Sequence, residues 1–228
     1  MEKAKVAAAR AAIAFVEDGM VVGLGSGSTA SVMLAEIAKQ GKRISVIPAS
    51  SQTYLEAVNS GLQIATLETN PQPDLYLDSF DQVDYDCNMI KGGGAALMRE
   101  KVLASASRLR IFAGESRKLS RKLNKPIPLE VLPFALGYVM KTVERLGASI
   151  TIRMAQTKNG PTVTDNGNYV IDASFGEITE PDVLEQRLRK IPGLLENGLF
   201  VGLADAVFIA YVDGRVEEMK RKSLNAPE

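Results

Sequence analysis

Residues 20–39, Met-Val-Val-Gly-Leu-Gly-Ser-Gly-Ser-Thr-Ala-Ser-Val-Met-Leu-Ala-Glu-Ile-Ala-Lys, set an apolar strand, a glycine-rich turn and an amphipathic helix in direct succession. Met20–Leu24 is short and apolar, the pattern of a strand buried on both faces. From Ser28 to Lys39, Val32, Leu34 and Ile37 form one helical face, and Gly41 follows the end. The turn between them, Gly23-Leu24-Gly25-Ser26-Gly27-Ser28-Thr29, offers glycine backbone, hydroxyl donors and the free N–H groups of a helix start. Such a turn can cradle a phosphate. An ordinary strand-to-helix turn with Ser28 as N-cap would use the same residues.

The pattern repeats on both sides. Residues 3–17 read as a helix stopped by Gly19. Residues 44–47, 63–67, 74–77 and 109–113 read as strands, and 51–59 and 95–108 as helices. Apolar strands alternating with helices predict βαβ units and a mostly parallel, Rossmann-like sheet with helices on both faces. Near Pro126 the order changes. Strands at 126–132, 149–155 and 169–173, with helices at 134–146 and 181–190, give a smaller ferredoxin-like α+β unit. The turn signals Lys158-Asn159-Gly160 and Asp165-Asn166-Gly167 flank its middle strands. The apolar run 206–212 is expected to return to the main sheet. The expected division is therefore 1–125 with 201–228, and 126–200.

Composition narrows the chemistry. The 228 residues carry 27 Lys+Arg against 27 Asp+Glu, so overall charge does not point to nucleic acid or an anionic membrane. No apolar run reaches the ~18–20 residues of a membrane span, and the start of the chain reads as a helix and not as a signal peptide. A single cysteine, Cys87, allows no internal disulfide and fits a reducing, cytoplasmic setting. The chain has no histidine, which removes Ser-His-Asp and Cys-His catalysis and the commonest zinc sites. A base acting near neutral pH must then be a carboxylate with a raised pKa or a lysine with a lowered one.

Lys91-Gly92-Gly93-Gly94 followed by the helix that carries Glu100 is the strongest chemical signal. Consecutive glycines let the backbone approach a ligand and turn N–H groups toward an anion. A cation precedes that nest and a carboxylate follows it. Asp78 and Asp81 close the strand 74–77, at the end where open α/β sheets bind ligands. Together these residues suit a small anionic substrate. A dinucleotide fingerprint fails because Ser28 stands where its third glycine belongs, and a Walker A loop lacks its lysine. A sugar-phosphate-binding module without catalysis would not need this set of proton-handling groups.

Six segments resemble ribose-5-phosphate isomerase type A, and the likeness runs over essentially the whole chain. They are Gly23–Ala30 (GLGSGSTA), Asp78–Asp84 (DSFDQVD), Ile90–Lys101 (IKGGGAALMREK), Pro126–Val131 (PIPLEV), Thr164–Asp172 (TDNGNYVID) and Ile191–Phe200 (IPGLLENGLF). The resemblance implies an aldose–ketose isomerase that interconverts D-ribose 5-phosphate and D-ribulose 5-phosphate, in the non-oxidative pentose phosphate pathway. It implies Glu100 as the general base moving a proton between C2 and C1, and Lys91 and Asp78 as groups serving the two substrate oxygens. Asp81 would assist ring opening. Ser26, Gly27, Ser28 and Thr29 would hold the phosphate, with Lys5 and Arg117 near it, and Ser79, Phe80, Gly92, Gly93 and Gly94 would line the substrate. The family implies no metal, no organic cofactor, and a homodimer.

The departures also make expectations. The family's Asp-Gly-Ala-Asp-Glu stands here as Asp78-Ser79-Phe80-Asp81-Gln82, and its Asp-x-Ser-Lys as Gly114-Glu115-Ser116-Arg117. A large ring would sit beside the substrate, an acid is lost at Gly114, and arginine alters hydrogen-bond geometry at 117. These changes are expected to cluster in the site, weakening activity or changing the substrate.

Overall fold

A computed structural model of the protein describes residues 2–221. Helix α1 (Glu2–Ile13) ends short of the expected residue 17, because Val16 N–H closes a turn onto Ile13 and Gly19, at φ 84°, redirects the chain into β1 (Val21–Leu24). Then come α2 (Ser28–Lys39), β2 (Ser45–Pro48), α3 (Ser51–Asn59), β3 (Gln63–Ile64) and β4 (Leu75–Asp78). Two short strands, β5 (Gln82–Val83) and β6 (Met89–Ile90), form a hairpin whose turn carries Cys87 at φ 62°. Burial pushes the Cys87 thiol up to about 11, so it stays protonated and inert.

Helix α4 (Leu97–Ala106) begins later than the expected residue 95, since Ala95 sits at φ 62°. Strand β7 (Leu109–Glu115) follows, then β8 (Ile127–Val131), α5 (Leu136–Arg145), β9 (Ser149–Ile152), β10 (Tyr169–Ser174) and α6 (Pro181–Arg189). The described chain closes with β11 (Leu194–Asn197), β12 (Leu199–Phe200), β13 (Ala206–Ala210) and β14 (Val216–Met219).

The main sheet has seven strands in the order β14-β13-β7-β4-β1-β2-β3, all parallel except the β13–β14 edge pair. The strand order reverses between β1 and β4, and open α/β sheets bind their ligands at the carboxyl ends of such a pair. Side-chain alternation gives the sheet two covered faces. Leu75, Leu77, Ile111 and Ala113 pack with α1 and α2, whereas Tyr76 and Phe112 pack with Leu103 and Ala104 of α4. Four buried alanines, Ala4, Ala8, Ala9 and Ala12, let α1 lie close to the sheet.

The second sheet, β11-β8-β10-β9, is antiparallel throughout and carries α5 and α6 in the βαββα order expected from the sequence, with β11 added as an unexpected edge strand. A third sheet, β12-β6-β5, joins the end of that unit to the hairpin beside the switch point. As expected, residues 206–210 return to the main sheet, between β7 and β14.

Candidate active site

The site grows from the ends of β1 and β4. Asp78, the last residue of β4, is completely buried, and Gly25, just past the end of β1, must be glycine to lie against it. A Cβ on Gly25 would stand 1.8 Å from Asp78 Cγ. Asp78 Oδ2 accepts from the Tyr76 hydroxyl at 2.5 Å and pairs with Lys91 Nζ at 2.6 Å, while Oδ1 accepts from Ser79 N–H at 2.7 Å. Lys91 Nζ is also 3.1 Å from Glu100 Oε2, and Glu100 Oε1 accepts from the Ser26 hydroxyl at 2.5 Å. Two buried carboxylates are thus bridged by one ammonium, and each accepts a hydroxyl: Asp78 on the oxygen that faces Lys91, Glu100 on the one that does not.

One ammonium cannot neutralise two buried carboxylates. Burial and the nearby charge of Glu100 outweigh the attraction of Lys91, and the Asp78 carboxyl is pushed up to about 7. Burial alone would lower Lys91, but the charges of Asp78 and Glu100 raise it, so it stays an ammonium. Tyr76 is raised by burial, then by Asp78 and Glu100, and remains a hydroxyl donor. The carboxyl with the raised pKa is Asp78, behind Lys91, whereas the histidine-free composition led to that expectation for the base, Glu100.

A cavity opens in front of this triad. Its walls are the turn Ser26–Thr29, the segment Ser79–Asp81, Lys91 with Gly92–Gly94, Glu100, and Lys118. Gly27 occupies the N-cap position of α2 at φ 89° and Ser28 is the first helical residue, with no side-chain cap bond. The turn is therefore not a Ser28-capped helix start, and the first N–H groups of α2 are left for an anion. Asp81 accepts from Gly93 N–H at 2.8 Å, which holds the glycine nest open beside Lys91.

Most of the expected residues line this cavity; four do not. Asp78 does not line the cavity; it lies behind Lys91 and acts on the cavity through it. Arg117 does not line it either. Its guanidinium turns back to the buried Glu115 at 2.9 Å, and Lys118 takes its place, with Nζ 3.1 Å from Ser79 Oγ. Burial lowers the pKa of Lys118. In the tight turn at 116–118 successive side chains point about 120° apart, so one position decides which cation faces in. Lys5, in α1, is half-buried and not among the cavity residues. Gln82, expected among the site changes, turns away: its amide clamps Asn124 N–H at 2.8 Å, Lys125 N–H at 3.0 Å and the Asn124 side chain at 2.8 Å.

Phe80 and Gly114 are one adjustment. Phe80 is only 2% exposed, and a Cβ on Gly114 would stand 2.7 Å from its Cζ. The ring fills the space that any side chain at 114 would need. Phe80→Ala is expected to cost about 3–5 kcal/mol through the cavity left behind, and Gly114→Ala about 1–3 kcal/mol through overpacking. In the double variant the two should offset one another, with urea denaturation giving less than the sum. Strict additivity would show that ring and glycine are independent.

Tyr76, Lys118 and the partnership of Ser26 with Glu100 were missed from sequence. The signal for Tyr76 was available: it lies two residues before Asp78 in one strand, on the same face of the sheet.

The comparisons with known proteins point one way. The family model for ribose 5-phosphate isomerase A (phosphoriboisomerase A) matches residues 45–214. The chain belongs to the ribose 5-phosphate isomerase A family. It is 45% identical to the ribose-5-phosphate isomerase A of Archaeoglobus fulgidus over 89% of this chain and 93% of that one. It is 46% identical to that of Natronomonas pharaonis, over 93% and 95%. A solved D-ribose-5-phosphate isomerase in complex with phospho-erythronic acid superposes with a TM-score of 0.93 at 37% identity, covering 96% of this chain and 99% of the other. The Methanocaldococcus jannaschii structure gives 0.91 at 33% identity, covering 96% and 99%. Family membership makes the chain an isomerase and the cavity its candidate active site.

Proposed function

We propose that the protein interconverts D-ribose 5-phosphate and D-ribulose 5-phosphate through an enediolate, with Glu100 as the base, as a step of the non-oxidative pentose phosphate pathway. The observation that carries this reading is the Glu100–Lys91 pair, 3.1 Å apart on the wall of a cavity that also holds the open start of α2. A phosphate seated on Ser26–Thr29 would place the sugar along the glycine nest, with C1 and C2 toward Glu100.

Glu100 would take the C2 proton and return it to C1. Its Oε1 accepts from the Ser26 hydroxyl, while Oε2 stands 3.1 Å from Lys91 Nζ, so Oε2 is the oxygen that would receive the proton, next to the ammonium. Lys91 would stabilise the charge developing on the substrate oxygen. Asp78 and Tyr76 fix Lys91 from behind. Asp81, on the other wall, would take the proton of the anomeric hydroxyl as the bond from C1 to the ring oxygen breaks, and pass it to that oxygen. Lys118 stands beside Ser79 as a further cation for the anionic substrate.

The test is conversion of ribose 5-phosphate by the purified chain in the presence of a chelator. Turnover without added metal is expected. A chain that binds ribose 5-phosphate, seen as a raised melting temperature, but does not convert it would leave only the binding role. The same reading carries a homodimer, a cytoplasmic location, and two domains, 1–125 with 201–228 and 126–200. Light scattering would read the first.

A further inference from the structure

The residue after the proposed base carries a second buried ammonium. The Lys101 side chain is 8% exposed, with Nζ 2.8 Å from Glu196 Oε1, 3.5 Å from Glu185 Oε1 and 3.3 Å from Asn197 Oδ1. Successive side chains on a helix diverge by about 100°. Glu100 therefore faces the cavity while Lys101 reaches the chain that runs from β11 into β12.

That same chain touches the proposed catalytic lysine. Gly198 O accepts from Lys91 N–H at 2.9 Å, and Phe200 pairs with Met89 across β12 and β6. The Phe200 ring centroid lies 5.3 Å from Lys91 Nζ and 5.2 Å from Lys101 Nζ, within reach of a cation–π attraction to both. Gly198 tolerates no side chain, since a Cβ would stand 2.3 Å from Lys91 O. Wholly buried Asn197 ties the segment together, its Oδ1 taking Lys101 Nζ and also Leu199 N–H at 3.0 Å.

We infer that Glu196–Phe200 is a register clamp in which Lys101 and Phe200 are positioning residues that hold Glu100 against Lys91. The inference rests on the isomerase reading above. Between Lys91 and α4 the chain is three glycines and two alanines, which supply no large side chains to fix a spacing. The spacing must be set from outside that loop, and the Glu196–Phe200 segment grips both ends of it. A misplacement of about 1 Å at such a pair can cost about 10²-fold in rate.

The experiment compares Lys101→Met, Lys101→Arg and Phe200→Leu with the parent, each as the full chain. It reads kcat and KM, and calorimetric affinity for phospho-erythronic acid and for inorganic phosphate. In Lys101→Met and Phe200→Leu, kcat is expected to fall about ten-fold or more with KM held within about two-fold, the signature of an interaction felt in the transition state. Phospho-erythronic acid, whose carboxylate stands for the anionic enediolate between Glu100 and Lys91, should weaken while inorganic phosphate holds. Lys101→Arg should recover more kcat than Lys101→Met.

Folded variants with parental kcat and a parental ratio of the two affinities would overturn the clamp, whatever their melting temperatures, and leave Lys101 a plain structural ion pair. Should Lys101→Met not fold, Phe200→Leu and Glu196→Gln carry the same readouts. If the parent itself fails to convert ribose 5-phosphate, the isomerase reading falls, and the affinity ratio alone decides the clamp.

Discussion

Glu100→Gln is expected to lower kcat about 10²–10⁴-fold, the usual contribution of a positioned general base, with KM for ribose 5-phosphate little changed. The phosphate turn and the glycine nest are separate backbone structures, so binding survives the loss of the carboxylate. Glutamine keeps the shape, and its amide oxygen can still accept the Ser26 hydroxyl that now donates at 2.5 Å. What disappears is the oxygen that would receive the C2 proton. A second consequence follows from the charge. Glu100 is the second cause, after burial, of the raised Asp78 carboxyl near 7, so the variant's Asp78 should titrate lower, with Lys91 now its sole charged partner. Steady-state kinetics in both directions would check the first part, and NMR titration of the Asp78 carboxyl the second. Parental kcat in the variant would remove Glu100 from the mechanism and shift the search for a base to Asp81.

The main sheet could be read from sequence because burial on both faces writes a simple code. Leu75-Tyr76-Leu77 and Ala206-Val207-Phe208-Ile209-Ala210 are apolar throughout, and the helices between strands keep their own period. The third sheet was invisible for the opposite reason: β5, β6 and β12 are two residues each, too short to show any alternation. The charged edge strand Val216-Glu217-Glu218-Met219 likewise gives little apolar signal.

The site was legible as a set of residue types, since a lysine, a glycine nest and three carboxylates have few other uses together. Which atoms face inward was not legible. Arg117 and Lys118 are chemically alike neighbours, and the turn between β7 and the next strand decides between them. Gln82, Phe80 and Gly114 looked like three independent changes in an active site. In space the first is a loop clamp and the other two are a single exchange of volume. Of the departures from the family's pattern, Ser79 and Phe80 line the cavity.

Lys91→Met should be the most damaging single change to stability as well as to rate. The ammonium is 4% exposed, between carboxylates at 2.6 Å and 3.1 Å, and methionine would leave those two charges facing one another without a counter-ion. Removing one partner of a buried ion pair costs on the order of 3–5 kcal/mol, and this figure applies where the carboxylates are ionised. The pH dependence follows from linkage. In the parent, Asp78 rises from 3.8 to about 7, so the folded state binds its proton more tightly than the unfolded chain. That stability is fully present below pH 4 and is lost as pH rises through 7. Without Lys91, which lowers Asp78 through its charge and hydrogen bond, the folded carboxyl moves higher still. The loss should extend to more alkaline pH. The stability deficit of the variant relative to the parent should accordingly be small near pH 5 and grow toward pH 8. Urea denaturation of both proteins at the two pH values would show it. A deficit of equal size at pH 5 and pH 8 would mean that methionine disrupts packing around Phe200, and that the charge of Lys91 is not what holds the two carboxylates in place.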